Sequence, residues 1–130
     1  MRWMVMVVAL AGCAPEAADL YGLWVTVDEG EVRGLEMGAY EGPVEGPIHG
    51  YKFYRYAEGE DSAEVQRGSY DVLEGDGPEL VTTVEWDIDG SLIGQDFGNP
   101  IRGHSGKKLK LEVDETTGAT RTYRAEDALP

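Results

Sequence analysis

A single cysteine, Cys13, excludes any disulfide within the chain, so its core must hold without covalent staples. Histidine is nearly as scarce. Only His49 and His104 are present, and nothing in the sequence brings the two together as metal ligands. No apolar run reaches the ~20 residues that a membrane-crossing helix needs. Helix-period segments are hard to find, and there is no block repeat or low-complexity tail. Positive charge is short as well: 11 Lys plus Arg stand against 25 Asp plus Glu, a net charge of −14. Such a field repels nucleic acid and anionic surfaces, so nucleic acid is excluded as a partner; it favours solubility, cations and basic partners. Catalytic signatures are missing too, with no Gly-x-Ser-x-Gly, no His-Glu-x-x-His and no phosphate loop. Ser105 beside His104 makes no triad, because a nucleophile needs its base placed across space. No catalytic residue, metal or cofactor is therefore assigned, and the chain reads as a non-enzyme.

What is present begins at the N-terminus. Met1-Arg2 carries one positive charge, followed by eight apolar residues from Trp3 to Leu10 and the small pair Ala11-Gly12. A basic start, an apolar run and small residues before a cleavage point describe a secretory signal over residues 1–12. Leu10-Ala11-Gly12-Cys13 resembles the bacterial lipobox at all four positions. That resemblance implies cleavage before Cys13 and acyl chains, palmitate among them, on the new terminus. Each buried methylene contributes ~0.8 kcal/mol, so two or three chains hold a soluble domain firmly at a membrane. Residue 14 is Ala, not the Asp that looks like an inner-membrane retention signal in enteric bacteria. The implied location is the outer membrane of a Gram-negative cell, on its periplasmic or surface face. Residues 13–19 then form a short tether and 20–130 the domain. Removing a 12-residue leader from 130 leaves 118, the length of one domain.

Eighteen glycines and six prolines lie among Val, Tyr, Trp and Thr, a mixture that suits many short strands joined by turns. A first strand runs from Leu23 to Val27 and stops at Asp28-Glu29-Gly30; a weaker one covers Glu31 to Met37. Residues 38–50 are dense in glycine and proline and read as a loop. Strands follow at Tyr51–Tyr56, Glu64–Leu73 and Glu79–Asp89. In the last, Leu80, Thr82, Val84, Trp86 and Ile88 share one face by period two. Lys107–Val113 repeats the design with Leu109, Leu111 and Val113 inward, and Ala119–Ala125 closes the sheet. The expected fold is all-β, a small antiparallel barrel with a β-sandwich as the alternative.

The Gly22-Leu23-Trp24 opening resembles that of the lipocalins and the smaller bacterial lipocalin-like domains. Gly68-Ser69-Tyr70 is similar to the glycine-x-tyrosine of their third strand, and Thr122-Tyr123-Arg124 to their closing strand. The resemblance spans the mature chain in layout and implies that Gly22, Trp24 and Arg124 are structural, with Trp24 packed at the barrel base near Arg124, or else Arg121. It also implies a small apolar or amphipathic ligand in the barrel mouth, lined by Tyr51, Phe53, Tyr54, Tyr70 and Trp86. The Thr-Asp-Tyr motif of true lipocalins is absent, and a small barrel can be filled by its own side chains. A filled barrel leaves the other class: a non-catalytic structural or protein-interaction module of the cell envelope. Asp87-Ile88-Asp89-Gly90-Ser91 looks like a fragment of a calcium loop and equally like a hairpin turn. Lys107, Lys108 and Lys110 form the one basic cluster, and Lys108 and Lys110 suit cross-strand pairing with Glu85 and Asp87 if those strands are neighbours.

Overall fold

Alternating apolar and polar residues, broken at regular intervals by Gly, Pro and Asp, fold into eight strands in a computed structural model that describes residues 15–130. They are β1 (Gly22–Asp28), β2 (Glu31–Ala39), β3 (His49–Ala57), β4 (Glu64–Leu73), β5 (Glu79–Asp87), β6 (Asp96–His104), β7 (Lys108–Asp114) and β8 (Ala119–Glu126). Each pairs antiparallel with the next, and β8 returns to β1 through Trp24↔Ala125 and Val25↔Arg124, so the sheet is a closed barrel. The sandwich alternative is excluded. The first hairpin shows the local logic. Glu29 and Gly30 both have positive φ (51° and 78°) between the paired Asp28 and Glu31. A two-residue turn of that kind matches the right-handed twist of the flanking strands.

One set of alternate residues fills the barrel. Trp24, Leu35, Met37, Tyr51, Tyr70 and Leu80 meet Ile101, Leu109, Leu111 and Tyr123 in a single buried cluster. A short 3-10 helix, Ala17–Leu20, closes one end and adds Ala17 and Leu20 to that cluster. Pro15 is buried as well. Residues expected to be a tether therefore belong to the folded domain from Pro15 onward; Cys13 and the leader lie outside the described residues.

Two further differences from the sequence expectation have physical causes. The segment 96–104, where Gly98, Pro100 and Gly103 interrupt any alternation, is a strand, β6, that the sequence pattern does not show. On β5, the register moves from Gly68↔Val84 to Arg67↔Trp86, so Glu85 is an extra residue opposite none. A bulge of this kind reverses which face each later residue occupies. Leu80, Thr82 and Val84 point inward as expected, but beyond the bulge Asp87 is the buried residue, Trp86 is turned to the outer wall and Ile88 is exposed.

Part of the outer wall is also covered. Val25, Val32 and Tyr56 are buried beneath the C-terminal tail, where Leu129 packs and the Tyr56 hydroxyl donates to the Pro130 carbonyl at 2.7 Å. Gly34 makes room for this, since a Cβ there would stand 2.5 Å from Leu129 Cδ2.

Gly68 sits where β4 approaches β5 most closely. A Cβ on it would run into the Thr83 carbonyl oxygen and lie 3.0 Å from the Glu85 nitrogen, both rigid backbone. Gly68→Ala is expected to destabilise the domain by about 1–3 kcal/mol or more, as overpacking does. Gly38→Ala, which meets nothing within 4 Å, should stay within about 0.5 kcal/mol of the parent. Urea unfolding of the two variants checks the contrast; equal stabilities would contradict the bulge geometry.

Candidate functional site

Gly22 has φ +132° at the step from the 3-10 helix into β1, a conformation that L side chains rarely adopt. Two residues later Trp24 points into the barrel, and its Nε1 donates to the Leu20 carbonyl at 2.8 Å. Tyr70 reaches the same helix from β4, its hydroxyl donating to the Ala17 carbonyl at 2.7 Å. Trp24 and Tyr70 thus serve one task, seating the helix in the barrel end. The Trp24 ring meets His104 edge-on at 5.9 Å. Arg124 is not its neighbour: it pairs with Val25 and Lys108, on the outer face, and is exposed. Arg121 has the inward parity of β8, yet it lies four residues beyond Ala125, the partner of Trp24, or roughly 13 Å along the strand.

Of the five residues expected to line a ligand site, Tyr51, Phe53 and Tyr70 share the interior, where they pack with its other side chains. The Tyr51 hydroxyl donates to Gln66 at 2.8 Å, next to the buried Thr82 and Asp87, so this half of the interior is polar and occupied. Tyr54 and Trp86 lie outside. Tyr54 packs with the covered outer wall, and its hydroxyl donates to Glu36 at 3.1 Å. The Arg67 guanidinium lies over the half-buried Trp86 ring, 4.8 Å from its centroid, and pairs with Glu64 at 2.9 Å.

Trp86 instead borders an open cleft of about 1200 Å³ on the outer wall of β2–β5. Gly38, Gly50 and Ser69 form a flat floor, Lys52, Arg67 and Trp86 one side, and the β2–β3 loop the roof. Gly50 matters here, because a Cβ on it would stand 3.2 Å from the Tyr40 Cα. Tyr40 pins the loop: its hydroxyl donates to Glu85 at 2.5 Å and accepts from the Val44 backbone at 3.2 Å. Glu85 can be reached because it is the bulge residue. A smaller cleft of about 570 Å³ follows the β1–β8 seam beside Arg124 and the C-terminal tail. The sequence signal for the larger cleft was the glycine-rich segment 38–50, read only as a loop.

The other candidates resolve into local structure. Asp89 Oδ1 accepts from the Ser91 nitrogen at 2.9 Å and hydroxyl at 2.6 Å, and these bonds hold its carboxyl down at about 2. With Gly90 at φ +76° this is turn chemistry. Ser105 Oγ accepts from the Lys107 and Lys108 nitrogens, bracing the next turn. His49 Nδ1 and the Tyr21 hydroxyl share a hydrogen bond of 2.8 Å. Among the described residues no three His, Cys, Asp or Glu side chains converge as a metal site. The strand that carries Lys108 and Lys110 is separated from β5 by β6, and the ion pair formed across β6 and β7 is Arg102–Glu112 at 2.7 Å. Compared with protein-family models, curated proteins and solved structures, the chain matches none.

Two measurements follow. Tyr70→Phe keeps the ring but leaves the Ala17 carbonyl without its buried donor, and should cost about 1–3 kcal/mol in thermal or urea unfolding. Burial also pushes the Tyr51, Tyr70 and Tyr123 phenols up, and burial with the Glu36 carboxylate pushes Tyr54 up to about 12. In the unfolded chain these groups ionise near pH ~10. Their contribution to stability is therefore complete below about pH 10 and is lost as pH rises through the higher folded values. Phenolate absorbance and loss of β-sheet circular dichroism should appear together in alkali. Independent ionisation near pH 10 in a fold that stays intact would contradict the burial of these rings.

Proposed function

We propose that the chain is an exported lipoprotein of the cell envelope, acylated on Cys13, whose domain is a non-catalytic interaction module. The observation that carries this reading is the interior: it is occupied by the protein's own rings and branched side chains, and its plugged end is sealed by hydrogen bonds to Trp24 and Tyr70. Open space lies on the outer wall, so recognition is assigned to the cleft beside Trp86 rather than to the barrel mouth. The anchoring part rests on the leader and the Leu10–Cys13 pattern.

A second reading is favoured by one feature. The cleft sets a half-exposed Trp86 near Val44 and Ile93, with Lys52 and Arg67 alongside. That combination suits a small amphipathic ligand as well as a partner's side chain.

The test begins with the mass of the protein extracted gently from its membrane, and with a Cys13→Ser form. Acyl mass on the parent and release of the variant are expected; a variant that stays membrane-bound would reject the anchor. Native mass spectrometry and Trp86 fluorescence then examine binding. A partner or ligand lost in Trp86→Ala but kept in Phe53→Leu supports the outer cleft. The reverse pattern returns recognition to the interior.

A further inference from the structure

We infer that the plugged end of the barrel docks against a phospholipid leaflet, with Ile48, Leu73 and Tyr21 entering the boundary between headgroups and acyl chains. The inference rests on the acylation of Cys13 proposed above. In an up-and-down barrel the starts of odd strands and the ends of even strands lie at one end. Tyr21 stands just before β1, Ile48 just before β3, and Leu73 ends β4, so all three belong to the end closed by the 3-10 helix. Val27, Ile88, Ile93, Phe97 and Val113 are exposed toward the opposite end, so the Cys13 tether rather than apolar exposure selects this face; here Tyr21, Ile48 and Leu73 are 42%, 72% and 50% exposed. They also border the helix directly. Tyr21 follows it and bonds to His49, the neighbour of Ile48, and Tyr70, three residues before Leu73, holds the helix at Ala17.

The length of chain outside the described residues supplies the partner. Pro15 is already buried in the domain, and Cys13 lies only two residues before it. Two residues span at most about 7 Å when extended. A lipid on Cys13 therefore leaves no room for the domain to stand away from the surface, and the face around the helix must meet the leaflet. Charge narrows the kind of leaflet. Lys107 and Lys108, at the β6–β7 turn, lie at the same end but are outnumbered there by Glu16, Asp19, Asp71, Glu74 and Asp76. These carboxylates are repelled by anionic headgroups and compatible with zwitterionic ones, whose ammonium groups they can meet. The committed partner is a leaflet rich in phosphatidylethanolamine or phosphatidylcholine.

The experiment uses the full acylated chain in vesicles of those two lipids, after mass spectrometry has established the acyl groups on Cys13. Acylation leaves Ile48→Cys or Ile88→Cys as the only free thiol, ready for an environment-sensitive fluorophore. Ile88, 65% exposed on the β5–β6 turn, marks the opposite end. Loss of iodide quenching and a blue shift at 48, with full quenching at 88, is the expected result. Adding phosphatidylglycerol should restore part of the quenching at 48, and Leu73→Glu should restore it without changing the acyl mass. Equal quenching at both sites on zwitterionic vesicles overturns the inference while the anchor stands. So does protection at 48 that persists in detergent with a crosslinked dimer, which would assign the face to a second copy of the chain. A chain without acyl mass removes the anchor and the docking together.

Discussion

Two hydrogen bonds, from Trp24 to the Leu20 carbonyl and from Tyr70 to the Ala17 carbonyl, set the terms for the rest of the molecule. An eight-stranded barrel is just wide enough for side chains to fill, and its open ends admit water. Aromatic rings with polar handles would be costly in that interior unless each handle found an acceptor. The 3-10 helix provides both acceptors while covering the opening with Ala17 and Leu20. Each bond contributes only about 1 kcal/mol net. Their larger effect is that the donors need no water, so Leu80, Leu109 and Trp24 can pack in a dry base.

The wall obeys a second constraint, parity. An up-and-down sheet closes with antiparallel neighbours only if the strand number is even, because the last strand must run opposite to the first. Seven strands were legible in the sequence, so closure itself demands an eighth. It is supplied by 96–104, a segment whose Gly98, Pro100 and Gly103 conceal it. Pro100 costs little there, since its missing donor leaves the neighbouring bond from the Ile101 nitrogen to the Pro78 carbonyl in place at 2.9 Å. Closure in turn leaves no exposed edge strand to template aggregation, which matters for a chain with long β segments and no disulfide.

Period-two alternation carried the interior correctly for Leu80, Thr82, Val84, Leu109 and Leu111, but not for Val113, which is exposed at the register shift between Glu112 and Asp114. It failed where strands change register. Nothing in Glu79–Asp89 announces that Glu85 is a bulge; the cause lies across the ladder, in Gly68, which lets the Thr83 carbonyl approach. Pairing of that kind is non-local and leaves no periodic trace. The parity of β8 misled differently. Tyr123 takes the inward position, so the adjacent Arg124 must face out, and His104 stands beside Trp24 instead. The 3-10 helix escaped notice because four residues are too few for a helical period. Its first turn is held by the Glu16 nitrogen, which donates to Asp19 Oδ2 at 2.8 Å, a pairing outside the usual capping residues.

These departures bear on where recognition can happen. The bulge that turned Trp86 outward also freed Glu85 to hold Tyr40, and Tyr40 lies across Gly50. A ring removed from the interior thus became one side of an outer cleft, and the carboxylate beside it became the latch of the roof. Had the alternation run on unbroken, Trp86 would have entered the barrel and Glu85 would have paired across the wall. Filling the core and opening an outer cleft are therefore linked in this fold. The close approach of the β4 and β5 backbones at Gly68 accompanies both, so the filled interior and the outer cleft share one local irregularity of the ladder.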